Sequence, residues 1–142
     1  MFTALVAPAP PSAVNIRGTL EVCETDTYQP ATNSLLVHFV GTGTASNLGR
    51  FMVVDDGIAY LSTSSGGGSV TFFAANGDSF TATETGFAVF AGSIAEITDY
   101  ATITQGTGRF EGATGTLTIV RRRDLSSPLS SGWFEGTINL AK

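Results

Sequence analysis

The sequence predicts an all-β protein, a single eight-stranded antiparallel up-and-down barrel. Three observations carry that expectation. Gly 17 and Thr 20 of 142 residues stand against one Lys, with only 13% charged residues, so the residue types that fill exposed helix faces are scarce. Apolar and polar residues alternate in steps of two along short segments. Those segments number eight, and eight is where a sheet closes into a barrel that side chains fill or one small ligand occupies. Closure also removes sheet edges that would otherwise template aggregation. A β-sandwich is the competing arrangement, but the meander-like order of tight turns favours closure.

The first strand spans about Ala13 to Glu24, with Val14, Ile16, Leu20 and Val22 on one face. Thr25 to Asn33 reads as a loop broken by Pro30, and Ser34 to Thr44 as the second strand. The third runs from Leu48 through Val54, is bent by Asp55-Asp56-Gly57, and resumes over Ile58 to Leu61. Ser62 to Gly68 reads as a flexible Ser/Gly loop. Val70 to Ala74 and Ser79 to Phe87 flank Asn76-Gly77, the signature of a two-residue type I′ turn with positive φ at both positions. That turn would pair Phe73 with Phe80 and Ser69 with Glu84, leaving Phe72 and Val70 on the opposite face. Ser93 to Thr104 alternates sharply, with Ala95, Ile97, Asp99, Ala101 and Ile103 on one side. Thr114 to Arg123 places Leu117, Ile119 and Arg121 together. After a Ser/Pro turn over Asp124 to Gly132, the last strand aligns Phe134, Gly136, Ile138 and Leu140.

Composition excludes several function classes. The net charge is −5 with pI ≈ 4.6, a poor match to a phosphate backbone, so no nucleic-acid partner is expected. The one basic cluster, Arg121-Arg122-Arg123, alternates faces on a strand and reads as a solvated strand end. No apolar run approaches the ~20 residues of a spanning helix. One Cys and one His cannot supply a zinc site or an intrachain disulfide, so no metal is expected. Cys23 reads as an inert half-buried thiol, and His38 as a satisfied strand histidine in a subunit contact. The glycine stretches at 41–46 and 66–68 lack the following helix and Lys of a phosphate loop. No GxSxG pattern supports nucleophilic hydrolysis. Residues 1–12 read as a Pro-rich arm outside a barrel domain of residues 13–142, with Phe2, Leu5 and Val6 free to pack across the barrel mouth or a neighbouring subunit. The arm has no basic n-region and only about six apolar residues before Pro8, a poor signal peptide. The compartment stays open between cytoplasmic and secreted.

Gly106-Thr107-Gly108-Arg109-Phe110-Glu111-Gly112-Ala113-Thr114-Gly115 resembles the GTGxFxGAxG stretch of plant allene oxide cyclases. Dirigent proteins carry a looser version, and the same superfamily of barrels includes bacterial spirotetronate cyclases. The motif covers about a tenth of the chain. The resemblance implies a calycin-like barrel and a homo-oligomer, and no catalytic residue is carried over from it. Read physically, Gly106 and Gly108 permit one tight turn, Gly112 and Gly115 a second bend, and Phe110 turns inward as a floor.

With the Thr-poor faces inward, Asp99, Glu84 and Arg121 are the ionisable groups of a mostly apolar interior. Arg121 suits a carboxylate or enolate oxygen, and Asp99 or Glu84 suits general acid or base work with its pKa raised by burial. Phe73, Phe80, Ile97, Phe110, Ile119 and Phe134 form the expected substrate-binding wall. Two alternatives stay open: Asp99 and Arg121 pair structurally near a rim, or the phase slips and Glu96, Tyr100, Trp133 and Glu135 face inward. Leu35, Leu36, Val37, Phe39 and Val40 cannot all face one interior, which points to contact between copies. The function expected is binding of a small hydrophobic molecule, with a cofactor-free cyclase or isomerase as its catalytic form. A non-catalytic carrier or dirigent-like interaction barrel is the alternative.

Overall fold

The computed structural model describes residues 12–141. Eight strands follow in chain order: β1 (Ser12–Gln29), β2 (Ser34–Ala45), β3 (Gly49–Tyr60), β4 (Ser65–Ala74), β5 (Ser79–Ala91), β6 (Ile94–Gly106), β7 (Thr114–Asp124) and β8 (Leu129–Leu140). Each pairs antiparallel with the next, and β8 returns to β1, so the sheet is a closed up-and-down barrel. Ser12, expected in the arm, opens β1; the rest of that arm, with Phe2, Leu5 and Val6, lies outside the described residues.

The inward faces are those the alternation marks, with one exception. Ile16, Leu20 and Val22 of β1, Ile119 of β7, and Phe134 and Ile138 of β8 are all buried. The exception is the β4–β5 hairpin. Ala74 pairs with Asp78, its N–H donating to the Asp78 carbonyl at 2.8 Å while its own carbonyl accepts from Gly77 at 2.9 Å. The connection is therefore a three-residue loop with positive φ at Gly77 (φ 92) and not at Asn76, the type I turn plus bulge rather than type I′. The register shifts by one: Phe72 faces Phe80, Phe73 faces Ser79, and Gly68 faces Glu84. Phe73 consequently points outward, while Phe72 and Val70 are fully buried. The extra loop residue flips one strand's faces because the side-chain period is two.

Three expected breaks are strand instead. β1 continues through residues 25–29, carrying Glu24 and Asp26 on its inner face. The Asp55-Asp56-Gly57 stretch does not bend β3; it pairs with β2 and β4 throughout. The glycines at 66–68 belong to β4, where added side chains would strike neighbouring backbone oxygens. Glycine there reflects close strand approach rather than a flexible loop.

One end of the barrel is plugged by aromatic rings. Phe72 stacks on Phe80 at 5.0 Å, Phe51 and Phe134 pack against Phe72, and Phe80 meets Phe110 edge-on at 5.2 Å. Phe110 ends a 3-10 turn, Gly108–Phe110, and is 1% exposed. Gly108 (φ 57) and Gly112 (φ 73) make the two bends that deliver it. Arg109 lies over the Phe110 ring and donates to the Asn47 carbonyl at 2.6 Å, tying this plug to the β2–β3 turn. The glycine-rich motif thus closes the floor, as its residues imply.

Candidate functional site

The opposite end is hollow. A cavity of ≈ 320 Å³ opens among the β1–β2, β3–β4, β5–β6 and β7–β8 turns, at the lower end of the range for small-molecule sites. Leu35, Val37, Phe39, Ile97, Phe87 and Phe90 supply apolar wall, and Glu24, Asp26, Asp55, Glu84, Asp99, Arg121 and Arg123 supply every charge. Strand parity explains the set: each charged residue lies two or four positions from a buried apolar residue of its own strand, and so on the same face.

The charges divide between two walls. On β1 and β7, Arg121 Nη1 donates to Glu24 Oε1 at 3.0 Å and to Ser130 Oγ at 3.0 Å. Its guanidinium lies 4.5 Å from the Phe39 ring centroid. Arg123 Nη1 reaches Glu24 Oε2 at 2.5 Å and Asp26 Oδ2 at 2.8 Å. Arg121 and Glu24 are 4% and 7% exposed, so this is a buried ion-pair network. Burial raises the Glu24 pKa, its contact with Asp26 adds to the rise, and Arg121 opposes it.

On β3, β5 and β6 stand three carboxyls that no salt bridge among the described residues reaches: Asp55, Glu84 and Asp99. Asp55 and Glu84 hydrogen-bond to one another, which requires a proton between them. Burial, then the Asp55 contact and the charges of Asp55 and Asp99, push Glu84 up to about 11, so it holds the proton. Burial also raises Asp55. Asp99 rises to about 6 by burial, with Arg121 pulling the other way. Asp26 Oδ1, Asp55 Oδ2, Glu84 Oε2 and Arg121 Nε are buried with no hydrogen-bond partner among the described residues. Buried polar atoms are normally satisfied, so these four are the site's open valences.

The expected interior trio is therefore gathered in one cavity, but Arg121 pairs with Glu24 and not with Asp99. Among the expected wall residues, Ile97 lines the cavity. Phe80, Phe110, Ile119 and Phe134 are packed in the solid core, and Phe73 lies outside. The alternative interior set faces outward: Tyr100 and Trp133 are 55% and 45% exposed, and Glu135 pairs on the surface with Arg17 at 2.9 Å. Sequence reading missed Glu24, Asp26, Asp55 and Arg123. Glu24 and Arg123 continue the inward parity of Val22 and Arg121, and Asp55 that of Phe51 and Val53; the last, with Asp26, was hidden by an expected bend or loop. Arg121 and Arg123 are not a solvated strand end; only Arg122 is exposed. Cys23 is exposed rather than half-buried. His38 is exposed, and its Nδ1 contacts Asp56 Oδ1 at 2.7 Å.

No helix among the described residues is long and apolar enough to cross a membrane. No family model and no curated protein matches the chain. Solved structures that share the fold include two at 12% identity. The pterocarpan synthase dirigent protein GePTS1 superposes with a TM-score of 0.67 over 99% of both chains. The pterocarpan synthase dirigent protein PsPTS1 gives 0.65 over 94% of this chain and 99% of its own.

Proposed function

We propose that this dirigent-like barrel binds a small hydrophobic molecule in the cavity at its open end and, as an enzyme, promotes a cofactor-independent cyclisation or isomerisation. The observation that carries the reading is a cavity with apolar walls and, among its lining residues, four buried polar atoms without partners among the described residues. Such atoms cost free energy unless something completes them. The apolar walls would fold a flexible substrate into one conformer, converting a rare geometry into the bound one. Glu84, neutral at pH 7, would serve as proton donor, and Asp99, titrating at about 6, as acceptor. Positioned acid–base groups of this kind contribute roughly 10²–10⁴ in rate. Arg121 Nε would steady developing negative charge on a substrate oxygen.

A non-catalytic carrier or interaction barrel is the second reading, favoured by the engagement of Arg121 in the Glu24 network. We take the exposed apolar outer face of β2 and β3 as the contact between copies in a homo-oligomer. The binding test is fluorescence titration with Nile red, a neutral apolar dye. Wild type should bind it at one site, and Ala88→Trp, which fills the cavity wall, should abolish binding without loss of the β circular-dichroism signal. Undiminished dye binding by folded Ala88→Trp would place the dye elsewhere and defeat the reading.

A further inference from the structure

The cavity's charges do not balance. Five carboxyls face two guanidiniums, and both guanidiniums are bonded to Glu24 on the β1 wall. Arg123 is further held by Asp26 and by the Ser127 carbonyl. The β3–β5–β6 wall has no cation of its own. Asp55 and Glu84 are 3% and 7% exposed, and each keeps one oxygen with no partner. A proton shared between them settles one charge and leaves Asp55 and Asp99 to be met. Among the described residues no three ligating side chains are placed to hold a metal ion. Apart from Ser64, Ser65 and glycines, the rest of the lining is apolar or aromatic, with Phe39, Phe87, Phe90 and Tyr60 among it. A ligand completing this wall needs hydrogen-bond donors and a positive charge at one end and an apolar body behind them. An ammonium has three donors and no acceptor, and aromatic rings add favourable contact with a desolvated cation.

We propose that the ligand is an apolar amine, seated with its ammonium on Asp55 and Asp99 and its hydrocarbon or aromatic body against the mouth. This rests on the cavity-binding reading above and adds the ligand's charge to it. Buried carboxyls that must otherwise hold protons or pay desolvation are relieved by an incoming cation, which selects against neutral and anionic molecules of the same shape. Asp99 faces Glu84 from β5, Asp55 from β3 and Arg121 from β7, with Glu24 and Asp26 across the cavity on β1. Its ionisation at about 6 makes amine binding stronger above that pH than below.

The test is displacement of Nile red by three isosteres: tryptamine, tryptophol and indole-3-propionate. Tryptamine should displace the dye with a Kd at least about tenfold below that of tryptophol, and indole-3-propionate should be weakest. The advantage should shrink below the Asp99 transition, and the ratio of tryptamine to tryptophol affinity should fall in Asp99→Asn and Asp55→Asn, each measured against that variant's own dye affinity. Equal displacement by tryptamine and tryptophol, or preference for the acid, overturns the amine proposal and leaves the cavity reading standing. Dye binding that survives in Ala88→Trp and responds to none of the three overturns both.

Discussion

Glu84 is the residue whose chemistry departs furthest from its ordinary behaviour, and its linkage has a definite sign. Its folded pKa of about 11 lies above the ordinary value of 4.5, so between those limits the native state holds a proton the unfolded state has lost. Stability from this group is complete below the unfolded pKa and falls as pH rises, with a slope near 1.4 kcal/mol per pH unit for one proton. Asp99, raised to about 6, acts in the same direction over a narrower range. Urea midpoints should therefore decline from mildly acid to alkaline pH, and Glu84→Gln, which keeps the hydrogen bond to Asp55 without a titrating proton, should flatten that decline. A variant slope identical to wild type would show that Glu84 titrates normally. Arg121 carries a different expectation. It is paired with a buried carboxylate, so Arg121→Met leaves Glu24 held by Arg123 alone and should cost about 3 kcal/mol, the low end for breaking a buried pair. Changing Glu24 to Gln in the same chain should recover part of that loss. A cost under about 1 kcal/mol would mean that Arg121 is held for a ligand rather than for the fold.

At the scale of elements, the β4–β5 hairpin separates what a sequence pattern can and cannot convey. Asn-Gly between alternating strands announces a hairpin correctly, but not whether two or three residues bridge it. Here Ala75 joins the loop and Asn76 takes a negative φ, its Oδ1 accepting the Asp78 N–H at 3.0 Å. Gly77 alone needs the left-handed region. Gly77→Val should therefore cost about 1–2 kcal/mol more than Asn76→Val; equal losses in thermal unfolding would restore a turn strained at both positions. The one-residue difference moved Phe73 out of the expected wall and Phe72 into the core, yet left Glu84 inward, because its parity with Phe80 depends only on β5. Asp99 and Arg121 were legible for the same reason: each lies in the middle of a long, unbroken alternation. Asp26 and Asp55 were not. Proline, paired aspartates and glycines are turn formers locally, and only pairing with the neighbouring strands, β2 for the end of β1 and both β2 and β4 for β3, keeps the chain extended through them. The solid Phe core and the hollow end likewise depend on how side chains from eight strands meet, which no single segment encodes.

For the whole molecule, closure settles the inner face and leaves the outer one to be explained. Leu36, Val40, Met52 and Ile58 are 45%, 43%, 49% and 38% exposed. Pairing places Leu36 beside Ile58, Val40 beside Val54 and Thr42 beside Met52, so they form one continuous stripe along β2 and β3. The His38–Asp56 pair sits in the middle of it. A barrel already has its edges closed, so these side chains serve no part of the buried core, and scattered single exposure does not describe a contiguous stripe. Two copies meeting through it would bury the same residues on both, as a two-fold contact requires. Light scattering should thus return a mass above the 14.7 kDa of one chain, and Val40→Asp with Met52→Lys should return the single-chain mass. Both positions point away from the core, so the variant should keep its strand signal and its dye-binding cavity. A wild-type chain that stays at single-chain mass at high concentration would remove the stripe from the assembly and leave it a patch on a monomer.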